Sequence, residues 1–137
     1  MAGEYKKPLP VPSEDSGPFW EACRRHELCL QRCEACGRFR FPPAILCPEC
    51  HSLAFQWAPV SGRGKVWSFV VFHRAYHPGF AEELPYTVAW IELEEGARVI
   101  SNVVGCRPDE VRCDMPVEVG FEDVTPEVTL PKFRPRG

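Results

Sequence analysis

Four of the eight cysteines fall into two pairs of identical spacing, Cys33-Glu34-Ala35-Cys36-Gly37 and Cys47-Pro48-Glu49-Cys50-His51. A Cys-x-x-Cys turn presents two sulfurs to one ion, and two such turns facing each other close a tetrahedron of thiolates. Gly37 can take the positive backbone angle that this turn needs just after its second ligand, and Pro48 stiffens the other turn. His51 stands where a second glycine is expected, so it either relaxes the turn or competes as a ligand. Matched spacing favours the all-cysteine set of Cys33, Cys36, Cys47 and Cys50. The competing reading is two disulfides or four buried thiols. The chain opens Met-Ala-Gly-Glu-Tyr-Lys-Lys without an apolar leader, so the expected setting is a reducing cytoplasm, where free thiolates bind metal. Zinc is the expected ion, with iron as the alternative, since four tetrahedral sulfurs suit both. Neither an open coordination position nor a neighbouring base is evident, which makes the site structural. A structural zinc contributes on the order of 10 kcal/mol to folding a segment too short for its own core.

Elsewhere no nucleophile and base stand at a readable spacing. Cys106 lies between Gly105 and Arg107, where its thiolate could be activated, and its competing reading is a small packed thiol. Cys23, Cys29 and Cys113 lack a partner at metal-turn spacing. The segment from Phe72 to Phe80 is a long aromatic and basic loop leaving an expected strand. In it Arg74 could meet a phosphate, Tyr76 and Phe80 could line an apolar channel, and His77 is a pH-sensitive donor. The alternative is a surface lid with its aromatics folded down. Arg63 and Lys65 flank Gly64 in an expected loop whose N–H groups could approach a phosphate, although a lone Gly-x-Gly equally marks a plain linker. Arg24, Arg25, Arg32, Arg38 and Arg40 give the first third of the chain a basic side, either solvated or turned to an acidic partner.

The elements that must carry these residues can be read from pattern and punctuation. With 137 residues the chain can bury one modest core or two small ones, and no apolar run approaches eighteen residues, which excludes a helical membrane span. The net charge of −3 hides an asymmetry: from Ala81 to Glu127 three basic residues stand against twelve acidic ones. Such a segment is a poor surface for nucleic acid, which is held mainly by Lys and Arg on phosphates. Residues 1–15, with Pro8, Pro10 and Pro12, form an extended arm. A short helix follows over 16–27, with Ser16 or Gly17 as cap, Pro18 in the first turn, and Phe19, Trp20, Cys23 and Leu28 as an apolar stripe for packing or for docking. Over 28–60, strands at Leu28 to Arg32, Arg38 to Phe41 and Phe55 to Trp57 bracket the two cysteine turns as a zinc ribbon. Ser61-Gly62-Arg63-Gly64 is a hinge into the last unit, 61–137. There Val66 to Phe72, Tyr86 to Leu93, Arg98 to Val104, Val117 to Phe121 and Val128 to Leu130 are five candidate strands. Glu94-Glu95-Gly96-Ala97 is a hairpin turn and Arg107 to Arg112 one helical turn. The class is mostly β, with a small five-stranded OB-fold barrel expected and an SH3-like barrel or incomplete sandwich as alternatives.

The motifs Leu30-Gln31-Arg32-Cys33-x-x-Cys36-Gly37, Phe41-Pro42-Pro43, Cys47-Pro48-x-Cys50, Ser61-Gly62-Arg63-Gly64, Gly105-Cys106 and Phe121-Glu122-Asp123-Val124-Thr125, in this order, resemble the acyl-CoA-associated zinc-ribbon/OB-fold family once classed as a domain of unknown function. The resemblance runs from Phe19-Trp20 to Phe133-Arg134-Pro135 and departs from the family pattern at His51. It implies an N-terminal helix, a rubredoxin-like ribbon and an OB-fold. It further implies a thiolase-fold partner subunit that carries the catalytic residues, as in thiolase, acyltransferase and retro-aldolase assemblies. This chain would then be a non-catalytic zinc subunit of a hetero-oligomer, without turnover of its own, helping to bind the CoA thioester through Arg63, Lys65, Arg74, Tyr76, His77 and Phe80. The rival functions are a zinc-ribbon/OB-fold nucleic-acid module and a rubredoxin-like redox carrier.

Overall fold

Proline and serine punctuation starts the first element. The computed structural model describes residues 5–136; of the expected extended arm, residues 1–4 lie outside the described residues. Helix α1 spans Gly17–Arg24, with Pro18 in its first turn. Ser16 is the N-cap but does not bond the helix; its hydroxyl instead takes the Ser13 N–H at 2.9 Å, while Ser13 Oγ takes the Ser16 N–H at 3.1 Å. The helix is shorter than the pattern predicts because a Schellman closure ends it. The Glu27 N–H reaches back to the Ala22 carbonyl at 3.0 Å, and His26 takes a left-handed φ of 60° where glycine is usual.

Strands β1 (Cys29–Cys33), β2 (Phe39–Arg40) and β3 (Phe55–Pro59) form an antiparallel sheet with β1 in the middle. The remaining strands, β4 (Arg63–Phe72), β5 (Tyr86–Leu93), β6 (Arg98–Val103), β7 (Pro116–Asp123) and β8 (Thr129–Pro135), close a barrel in the order β4-β5-β6-β8-β7. That order, with β4 returning to β7 and a single parallel pairing of Val103 with Phe133, is the Greek-key order of an OB-fold. The chain is thus mostly β, with one short helix, a ribbon and a closed five-stranded barrel, as the strand pattern predicts.

Period-two alternation decides which side chains fill the barrel. Along β5, Thr87, Ala89, Ile91 and Leu93 point inward while Trp90 is exposed. Val66, Ile91, Val117 and Phe133 are at most 1% exposed and centre the core. Phe19 and Cys23 of α1 and Leu28 and Leu30 of the ribbon join the same cluster, and Trp20, Phe39, Phe41 and Trp57 pack against it. The helix stripe is therefore packing, and ribbon and barrel share one core. Among the described residues no helix is long and apolar enough to cross a membrane.

Candidate functional site

The two cysteine turns are built alike. In the first, the Gly37 N–H reaches the Cys33 carbonyl at 2.9 Å and the Cys33 N–H reaches the Arg38 carbonyl at 2.9 Å. In the second, the His51 N–H reaches the Cys47 carbonyl at 2.9 Å and the Cys47 N–H reaches the Ser52 carbonyl at 3.0 Å. The second turn therefore forms without glycine, with His51 itself at a left-handed φ of 64° beside Gly37 at 77°. Strand β1 ends on Cys33, so sheet register places the first turn, while the other turn hangs on the loop after β2. Gln31 and Arg40, both buried, fasten that loop: Gln31 Oε1 accepts the Ala44 N–H at 2.8 Å, and Arg40 Nη2 donates to the Ala44 carbonyl at 2.8 Å. The Arg40 guanidinium also lies over the Phe55 ring, 4.8 Å from its centroid.

The result brings the sulfurs of Cys33, Cys36, Cys47 and Cys50 within 4.8 Å of one another. Cys33 and Cys50 Sγ stand 3.5 Å apart and Cys36 and Cys47 Sγ 3.7 Å apart. A tetrahedron with metal–sulfur bonds of about 2.3 Å has edges of ~3.8 Å, so these separations fit one four-thiolate ion, whereas a disulfide would need about 2.05 Å. All eight cysteines are free thiols. The backbone N–H of Cys36 is the main influence pulling the Cys33 thiol down to about 6, and the N–H of Cys50 likewise lowers Cys47. At Cys50 the N–H of Ser52 pulls down, but the neighbouring sulfur of Cys33, burial and the other two cysteines outweigh it and lift the thiol to about 11. Four thiols this close cannot all ionise without a cation among them. His51, exposed, is not among the converging ligands.

Cys23, Cys29 and Cys106 lack activation. Burial pushes Cys23 up to about 12, and burial, followed by Glu110 and Asp109, raises Cys106.

Of the six candidate CoA contacts, four come together. Phe72 stacks on Tyr86 at 5.2 Å, Phe80 stacks on the same ring at 5.0 Å, Tyr76 meets Phe72 edge-on, and His77 meets Phe80 edge-on. Arg74 lies over the Tyr76 ring at 5.5 Å. The loop is less free than its sequence implies, because a 3-10 helix over Pro78–Glu83 orders it and His77 Nδ1 caps that helix by accepting the Gly79 N–H at 3.0 Å. The N-terminal arm crosses it: a Cβ on Gly79 would run into the Lys6 carbonyl, and Lys7 pairs with Glu83 between the Tyr5 and Phe80 rings. Arg63 and Lys65 are elsewhere. They lie in strand β4 rather than in a loop, facing Glu94 at 3.5 Å and Glu92 and Asp114 at 3.7 Å each. The span of β4 from Arg63 to Phe72 is roughly 30 Å at strand rise, so the two groups do not form one compact site.

A larger feature carried no motif. A crease of about 850 Å³ runs between the metal turns and the barrel, lined by Arg38, Phe39, Phe41, Trp67, Trp90 and Arg98 among others. The Arg98 guanidinium stacks on Trp67 at 3.9 Å. One signal was available in the sequence: Trp90 occupies an outward position of an alternating strand, where a large apolar residue is out of place.

Comparison with known proteins gives these features a family. Residues 20–56 match the family described as the ChsH2 rubredoxin-like zinc ribbon domain, and residues 57–122 match the ChsH2 C-terminal OB-fold domain. A solved chain titled Ltp2-ChsH2(DUF35) aldolase superposes with a TM-score of 0.83 at 41% identity, covering 92% of this chain and 98% of that one. The benzoylsuccinyl-CoA thiolase subunit BbsA of Thauera aromatica is 34% identical over 111 residues, 81% of this chain and 69% of its own length. A Thermomonospora curvata protein named "Probable enoyl-CoA hydratase alpha subunit" is 41% identical over 129 residues, 94% of this chain, yet the chain spans only 40% of that relative's length. Paired cysteine turns, a shared ribbon and barrel core, and matches to both domains place this chain in the ChsH2/DUF35 family of zinc-ribbon and OB-fold proteins.

Proposed function

We propose that this chain is a zinc-bearing, non-catalytic subunit of an acyl-CoA complex whose thiolase-fold partner performs the chemistry. The observation that carries the reading is the likeness, at 41% identity and over 98% of its length, to a chain whose title joins an Ltp2 and a ChsH2(DUF35) component as an aldolase. The name of the BbsA relative, a subunit of a CoA-ester thiolase, supports the same chemistry. Cys33, Cys36, Cys47 and Cys50 would hold the ion, which supplies structure by locking two turns that no core could hold. Arg74, Tyr76, His77 and Phe80 would meet the CoA thioester at one end of β4. Arg63 and Lys65 would serve it only if the ligand lies extended along that strand. The gain in rate would come from holding a substrate in place for the partner to cleave or condense.

The test is turnover. The purified chain is assayed on an acyl-CoA substrate of the partner, alone and after mixing with the thiolase-fold subunit. The reading expects activity from the mixture and none from this chain alone. Turnover by the isolated chain contradicts it.

A further inference from the structure

We propose that the crease between the metal turns and the barrel is the surface on which the partner subunit docks, an inference that rests on the subunit reading above. Its barrel wall is formed by Trp67 of β4, Trp90 of β5 and Arg98 of β6, and so includes the second and third strands of the barrel, the face on which OB-folds receive their ligands. Here that face is apolar where it ought to be polar. Trp67 is 46% exposed, Trp90 38%, and Ile100, paired directly across from Trp90, 49%. Such a continuous apolar face on an outward sheet surface marks a site that another molecule covers.

The Arg98 guanidinium supplies the polar side of the contact. Among the described residues Arg98, flattened on Trp67, has only Glu92 as carboxylate neighbour, through Nε at 3.4 Å. Arg40 also lines the crease but is only 7% exposed, and its Nη1, without an acceptor among the described residues, is buried and does not face the occupant. Tryptophan and arginine side by side are the residues that dominate protein interfaces. The occupant is therefore a protein segment carrying apolar side chains around an aspartate or glutamate.

Other occupants fit less well. Exposed apolar side chains also stand outside the crease lining, at Ile45 and Leu46 on the ribbon and Val70 on the barrel, and a small ligand in the crease would leave them uncovered. Glu49, Glu92 and Glu95 stand at or beside the crease and offset its arginines, leaving too little net positive charge to hold the many phosphates of a nucleic-acid backbone. A second copy of this chain offers poor carboxylates from the same face, because Arg38 already holds Glu49 at 2.9 Å and Arg98 holds Glu92.

The experiment titrates the Ltp2 component of the solved aldolase into the zinc-loaded chain by calorimetry, with wild type, Trp90→Glu, Arg98→Glu and, as a control outside the crease lining, Arg107→Glu. Zinc content and a cooperative melt confirm each variant's fold; if Trp90→Glu does not fold, the exposed Arg98 carries the test. The expected result is binding by wild type and Arg107→Glu, weakened at least ~30-fold in the two crease variants. Binding that survives both substitutions within about threefold, against that same ~30-fold benchmark, overturns the docking face and leaves the subunit reading standing. No complex with wild type overturns both. Salt-sensitive binding of oligo(dT), or a concentration-dependent dimer, abolished by the same substitutions assigns the face to nucleic acid or to a second copy, and also overturns the proposal.

Discussion

Gly37 and His51 hold the same place in the two metal turns, each with a left-handed backbone and an N–H donated at 2.9 Å to the carbonyl of the first cysteine of its pair. Glycine adopts that conformation at no steric cost, whereas a side chain pays roughly 1–2 kcal/mol for it. His51 makes no contribution as a ligand that would offset this strain. His51→Gly is therefore expected to raise the thermal midpoint of the metal-loaded chain, by the equivalent of about 1 kcal/mol, with metal stoichiometry unchanged. A fall in stability, or loss of metal, would restore histidine as a candidate ligand.

Cys33 ends the central ribbon strand and starts the first turn, so its sulfur links sheet register to the ion. Replacing it with serine is expected to lower bound metal, one ion per chain on this account, to a trace by elemental analysis. Because Leu28 and Leu30 sit in the same core as Val66 and Phe133, the loss should reach the barrel as well. Melting is expected to become broad and early, consistent with forfeiting most of the ~10 kcal/mol of a structural zinc. An unchanged sharp melt in a metal-free variant would show that the ion is dispensable.

Asp123 ties the end of α1 to the barrel. Its carboxylate accepts the Thr129 hydroxyl at 2.6 Å and meets His26 Nε2 at 2.9 Å, and these contacts, the threonine first, hold its carboxyl below the ordinary value. A depressed carboxylate adds stability that is present above its unfolded value of about 3.9 and fades as pH falls through the lower folded value. Asp123→Asn is thus expected to cost stability at pH 7 and to cost progressively less below about pH 4, where wild type loses the same contacts. Urea midpoints at pH 7 and pH 3 measure this; an equal loss at both pH values would contradict it.

Phe133 is 1% exposed and sits on β8, where the barrel closes on β6 through Val103. Phe133→Ala should cost about 3–5 kcal/mol by equilibrium urea unfolding. The variant should still bind zinc, since the ligands lie on the ribbon.

Much of this architecture was legible because its causes are local. Cysteine spacing announces the metal turns, and alternation announces β5 and β7. The residue pattern marks only Val128 to Leu130 as the last strand, whereas β8 spans Thr129–Pro135 and runs through Pro131. Pro131 is tolerated because its carbonyl faces Ser101 of β6, accepting that hydroxyl at 2.8 Å. Its missing N–H therefore faces the side where β8 pairs with β6 only at Val103 and Phe133, and no ladder bond is lost. The loop assigned to Arg63 and Lys65 proved to be strand for a similar reason. Gly64 lies so close to the Glu92 carbonyl that a Cβ would collide with it, a long-range contact that no local pattern encodes. The crease was illegible because it joins residues from the ribbon, β4, β5 and β6. Only the closed fold brings Arg40, Trp67, Trp90 and Arg98 to one place.

The central claim is that a metal-locked ribbon lets this chain join a thiolase-fold enzyme. Sedimentation velocity of the chain with the Ltp2 component, run once with zinc and once after chelation and gel filtration, tests it most directly. The account predicts one faster-sedimenting hetero-complex with zinc and two separate species without it. A complex that forms equally well without metal, or none in either run, would contradict it.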